Sequence, residues 1–242
     1  MKAIVVAAMS MSVLVGCGRA NVSKVSADKE FMKPLLVVLG GNASCEGRQS
    51  PIDMPMYQRF LDLKQTIDTE IQADSDYIIS CYENAESTVY ATTSLSPDET
   101  IEGNSKTVAQ MMNQQFADRY PVFLVGYSYG GWLALQTALE ANENLISSVY
   151  TVDPISRKYC NALDFSDCTR FPSDVTSSQR QYIANSSEKW VNYYQTVTYY
   201  LHSAPTGQAD DNKRVGTSHF GIQTHSNIWS MVEADVKSRL FQ

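Results

Sequence analysis

Short, unbroken apolar runs alternate along this chain with stretches in which apolar residues return every three or four positions. The runs LLVVLG (35–40), DYIISCYE (76–83) and PVFLVG (121–126) are rich in β-branched residues and do not alternate with polar ones, as expected of parallel strands buried on both faces. Between them, Met56, Phe60, Leu63, Ile67 and Ile71 mark one face of an amphipathic helix, and Val108, Met111, Met112 and Phe116 mark a second that ends before Pro121. WLALQTALEA (132–141) is a helix of strong formers that runs out at Asn142 and Asn144. LISSVYTVDP (145–154) holds a fourth strand ending near Asp153, and KWVNYYQTVTYYL (189–201) predicts a fifth. A last helix from about Ser226 presents Ile228, Met231, Val232, Val236 and Leu240 on one face. Strands alternating with helices predict an α/β fold with a mostly parallel central sheet and helices on both faces, with ligands at the carboxyl ends of the strands. No internal repeat or linker interrupts residues 33–242, which read as one domain.

The N-terminus departs from this pattern. MKAIVVAAMSMSVLVGCGRA has one early charge at Lys2, an apolar stretch too short for a comfortable membrane span, and small residues around Cys17, the design of an export signal. LVGC (14–17) resembles the bacterial lipobox, which implies cleavage after residue 16 and a lipid on Cys17. Residues 17–32 then read as a lipidated polar tether. Acyl chains stabilise insertion by about 0.8 kcal/mol per buried methylene, so several make a durable membrane anchor. Gly18 after the cysteine, where aspartate would suggest inner-membrane retention, implies by the same resemblance the outer membrane of a cell envelope.

Composition narrows the partners. The 242-residue chain is 43% hydrophobic, enough for a proper core, and its 19 basic against 26 acidic residues give a net charge of −7. That charge argues against nucleic acid as a partner. Cys45, Cys81, Cys160 and Cys168 remain after Cys17, an even number in an exported chain, which favours disulfides over metal ligation. Cys160 with Cys168, across a short polar loop, and Cys45 with Cys81 are the expected pairs, although other pairings stay open. No ligand spacing points to a metal.

The candidate chemistry lies in FLVGYSYGGWLAL (123–135), where Ser128 stands between Gly126 and Gly130 at the end of a buried strand and the start of a helix. A turn that tight admits only small neighbours and holds the hydroxyl out over the sheet edge, beside the backbone N–H groups of the helix start. On this string in this setting the chain resembles the α/β-hydrolase superfamily over residues 33–242. The resemblance implies an α/β-hydrolase fold and a serine hydrolase that cleaves a carboxylic ester or thioester through an acyl-enzyme on Ser128, without a cofactor. It further implies an oxyanion hole from the N–H of Tyr129 and one from the loop LGGNAS (39–44), where Gly41 or Asn42 is the donor.

A serine hydroxyl needs a base, and the superfamily places its histidine late in the chain. His225, directly before the last helix, is the favoured candidate, ahead of His219 in the same loop and His202. Asp153, in YTVDPIS, resembles the acid of pancreatic-type lipases and is preferred to Asp210 or Asp211, which occupy the commoner position one strand later. Residues 155–188 read as a small cap insertion that a Cys160–Cys168 bridge would stiffen. Trp190, Tyr193, Tyr194, Tyr199 and Tyr200 are candidates for pocket lining or, more simply, for packing. Two other readings keep the fold: a catalytically silent envelope binding lipoprotein, and an acyltransferase using the same serine.

Overall fold

The computed structural model describes residues 33–41, 44–45, 51, 54–82, 88–104, 106–142, 146–156, 169–199 and 201–241. Among them, β1 (Leu35–Leu39), β2 (Asp76–Tyr82), β3 (Val89–Thr93), β4 (Ser96–Gly103), β5 (Val122–Tyr127), β6 (Ile146–Val152), β7 (Lys189–Tyr194) and β8 (Asp211–Arg214) form one sheet in the order β4-β3-β2-β1-β5-β6-β7-β8. The six strands from β2 through β1, β5, β6 and β7 to β8 pair in parallel, and at one edge β3 runs against them, pairing antiparallel with both β2 and β4. This is the mostly parallel α/β architecture that the α/β-hydrolase resemblance implies.

Alternate residues of each central strand feed separate cores. On one face Leu35, Val37 and Leu39 of β1 pack with Val108, Met112, Leu133, Ala134 and Ile183, from α2 (Thr107–Gln115), α3 (Tyr129–Glu140) and α4 (Ser177–Ser186). Leu36 and Val38 face the other way, against Phe60, Ile67, Ile228 and Val232 of α1 (Tyr57–Ile71) and α6 (Ser226–Leu240). Burial on both sides is why these strands carry no polar alternation.

Several elements depart from the sequence pattern. β4 (SPDETIEG) is polar and largely exposed, an edge strand with no buried stripe to announce it. β8 is four polar residues, DNKR. The strand expected over 189–201 stops at Tyr194, because the buried Gln195 side chain accepts the Val197 and Thr198 N–H groups at 2.7 and 2.9 Å and turns the chain. Of the cap-like insertion, 169–188 includes α4, which packs against α3 and β7 as the crossover between β6 and β7. Cys160 and Cys168, like Cys17 and Asn42, lie outside the described residues. Cys45 and Cys81 are disulfide-bonded, joining the loop after β1 to the end of β2.

The strand order places the site. From β1 the chain winds outward through β2 and returns to β5 on the other side of β1, so the loops leaving β1 and β5 diverge at their carboxyl ends. A crevice at such a switch point is where open α/β sheets bind ligands. The loop at Gly40–Gly41 and the turn at Ser128 both stand there.

Candidate active site

Ser128 is held in a strained turn. Its φ of 55° and ψ of −121° lie where side chains are disfavoured, at a cost on the order of 1–3 kcal/mol. Hydrogen bonds fix it there: its N–H donates to the Val152 carbonyl at 3.0 Å, and its own carbonyl accepts from Gly131, Trp132 and Ile155. The flanking glycines are required by contact with backbone. A Cβ on Gly126 would lie 2.2 Å from the Gly130 carbonyl oxygen, and one on Gly130 would lie 2.1 Å from that of Leu39. The turn therefore closes directly over the end of β1, with α3 beginning at Tyr129. Gly41 abuts it from the other side, and a Cβ there would stand 2.8 Å from the Ser128 Cβ.

Asp153 follows β6 and also has a positive φ, 47°. Its N–H continues toward β7, donating to the Tyr193 carbonyl. The side chain is wholly buried, and four donors converge on it: Ser203 N–H (2.6 Å) and Gln195 N–H (3.4 Å) on Oδ1, Gln195 Nε2 (2.8 Å) and His219 Nδ1 (2.7 Å) on Oδ2. Four donors match the acceptor capacity of an ionised carboxylate, which answers the cost of burying it.

His219 completes the array. Its Nε2 lies 3.0 Å from Ser128 Oγ while Nδ1 faces Asp153, so one imidazole bridges hydroxyl and carboxylate. It opens the one-turn helix α5 (His219–Ile222), which Ser218 caps by accepting the Gly221 N–H. Three further contacts fix it: its N–H donates to Thr198 Oγ1, its carbonyl accepts the Tyr127 hydroxyl at 3.0 Å, and its ring lies 5.1 Å from that of Tyr127. Burial, with Asp153 adding to it, pushes the Tyr127 hydroxyl well above the usual tyrosine range, so it stays a donor.

The base expected from the sequence is corrected by this geometry. The structure brings His219, not His225, to Ser128 and Asp153. The α5 turn separates the two histidines, and His225 becomes the residue before α6, with its carbonyl accepting the Ile228 N–H and its buried Nδ1 without a partner. His202 directs Nδ1 at the Ser203 carbonyl. The alternative acids are also elsewhere: Asp210 accepts the Trp190 N–H and Asp211 pairs with Lys213, both near the amino ends of β7 and β8. Trp190 and Tyr193 are core residues, whereas Tyr199 is 88% exposed and Tyr200 lies outside the described residues. Gln195 went unnoticed in the sequence, where one glutamine in an aromatic run carries no signal. Among the described residues no group of three His, Cys, Asp or Glu could hold a metal ion.

No family model matches the chain, and no curated protein is significantly similar to it. Similar solved structures include a putative hydrolase of the α/β superfamily from Xanthomonas campestris pv. campestris (11% identity, 85% of this chain and 98% of that one, TM-score 0.46). They also include a lipase-esterase related protein from Clostridium acetobutylicum (11%, 86% and 95%, TM-score 0.44). A third is an esterase from Pyrococcus furiosus (10%, 87% and 81%, TM-score 0.45).

Proposed function

We propose that this protein is a serine hydrolase that cleaves a carboxylic ester or thioester through an acyl-enzyme on Ser128. The observation that carries the reading is the continuous bridge Ser128 Oγ, His219, Asp153, at 3.0 and 2.7 Å, in a buried setting. In this reading His219 Nε2 takes the hydroxyl proton as Oγ attacks the substrate carbonyl carbon, and Asp153 orients the ring and stabilises its charged form. The negative charge formed on the carbonyl oxygen falls at the start of α3. There the N–H of Tyr129, with that of Gly41 across the crevice, serves as oxyanion donor, each worth about 2.7–4 kcal/mol where such donors have been measured. The leaving alcohol or thiol takes the proton back from His219. Water then repeats the sequence on the acyl-enzyme, returning a carboxylic acid and free Ser128. No step calls for a cofactor.

The test is turnover of p-nitrophenyl esters of graded chain length by wild type and Ser128→Ala. The reading expects hydrolysis by wild type alone, with the preferred length giving the pocket size. Folded wild-type protein inert toward the whole panel and toward fluorophosphonates would favour a silent binding module instead.

We further propose export and lipidation on Cys17, anchoring the domain in a bacterial cell envelope at the outer membrane. LVGC supports this, and so does the Cys45–Cys81 bridge, which suits an oxidising compartment. Metabolic labelling with an alkyne fatty acid should mark wild type and not Cys17→Ser.

A further inference from the structure

Gln195 is fully buried where β7 ends, and all of its amide is used. Nε2 donates to Asp153 Oδ2 at 2.8 Å and to the Leu201 carbonyl at 2.8 Å. Oε1 accepts the N–H groups of Val197 and Thr198. These partners fix the amide's orientation: flipped, it would set an oxygen against a carboxylate and a carbonyl, and an NH₂ group against two N–H donors. The turn it builds places Thr198, whose Oγ1 receives the His219 N–H at 2.9 Å. One side chain therefore reaches the acid directly and the base through Thr198.

From this geometry we infer that Gln195 is the positioning residue that sets the contact between Asp153 and His219. It shares Oδ2 with the imidazole, so it fixes the angle at which the carboxylate meets Nδ1, and it divides the charge of that oxygen between two donors. Without it, the carboxylate pivots on Oδ1 and the loop carrying Thr198 loses its inner support. Gln195 touches no reacting atom. Its influence on rate passes through the orientation of His219, where displacements near 1 Å can cost about 10²-fold.

The role rests on the hydrolase reading, but its test does not need turnover. The titratable groups in contact with His219 are Asp153, from the end of β6, and Tyr127, from β5. In Gln195→Leu, which roughly keeps the side chain's volume, the amide's bonds to Asp153 Oδ2, the Leu201 carbonyl and the Val197 and Thr198 N–H groups are all lost. The His219 Nδ1–H proton resonance, which reports the contact with Asp153, followed by NMR in the full chain and assigned by its absence from His219→Ala, should move or broaden. An unchanged resonance overturns the inference whatever happens to kcat, because loss of rate alone is what a structural role gives. Should Gln195→Leu fail to fold, Thr198→Val decides by the same readout: removing the acceptor of the His219 N–H should move the Nδ1–H resonance, and an unchanged resonance would overturn the proposal. Fluorophosphonate labelling of wild type tests the hydrolase reading separately, so either claim can fail without the other.

Discussion

Tyr127 and His219, 92 positions apart in the chain, are joined twice: the phenol donates to the His219 carbonyl and the two rings lie 5.1 Å apart, tilted by 35°. Tyr127 is the last residue of β5, so the strand that presents Ser128 also holds the backbone of His219. Tyr127→Phe removes the hydroxyl that donates to the His219 carbonyl, which should lower stability by about 1 kcal/mol in urea titrations. It should lower kcat about tenfold with KM unchanged. Wild-type stability and kcat together would show that the bond is idle.

Gly41→Ala probes the opposite wall. The new methyl would lie 2.8 Å from Ser128 Cβ and 3.0 Å from the Tyr127 ring, so the loop or the serine must shift. Steady-state kinetics should show kcat reduced by about 10²–10³, the loss seen when one oxyanion donor goes. Unfolding midpoints should change little by comparison.

The Cys45–Cys81 bridge ties the same loop to β2, seconded by Ser44 Oγ, which accepts the Tyr82 N–H. It closes a sequence separation of 36 residues, for which chain-entropy arguments give about 3–4 kcal/mol. The double replacement Cys45→Ala, Cys81→Ala should lose that stability. It should also lower kcat, because Gly41 is no longer held against Ser128.

The ordering of elements was legible in the sequence because burial on both faces leaves a plain mark: LLVVL, VFLVGY and ISSVYTV are strands whose neighbours on each side are helices. Ser128 was legible for a related reason, since the glycines at 126 and 130 answer to backbone contacts that any such turn must make. Choosing between His219 and His225 was beyond the pattern. Both precede α6, and only the folding of HFGI into a separate turn behind the Ser218 cap directs the first inward. Ser218 followed three residues on by Gly221, whose N–H it accepts, was the local signal available. β4 and β8 left none, because an exposed edge strand buries no stripe, and Gln195 acts through hydrogen bonds that periodicity does not record.

Alkaline pH should unfold the protein. Burial pushes the hydroxyls of Tyr82, Tyr127, Tyr150 and Tyr193 above the usual tyrosine value. In the unfolded chain they ionise near pH 10, while the folded protein keeps their protons. The unfolded state thus binds fewer protons, and stability, fully present below pH 10, falls as pH rises further, by up to about 1.4 kcal/mol per unit for each phenol. Urea titrations from pH 8 to 11 read the slope. Tyr82→Phe, which removes a hydroxyl without a partner, should flatten it and leave stability at pH 7 unchanged or improved.

The central claim is that His219, bridging Ser128 and Asp153, makes that serine reactive. Its most direct measurement is phosphonylation by a fluorophosphonate, read by intact mass and peptide mapping in wild type, His219→Ala and His225→Ala. The account predicts one adduct per chain on Ser128 in wild type and His225→Ala. In His219→Ala the labelling rate should fall by several orders of magnitude, up to about 10⁶-fold. Labelling that survives in His219→Ala and disappears in His225→Ala, or folded wild-type protein that takes no label, would contradict it.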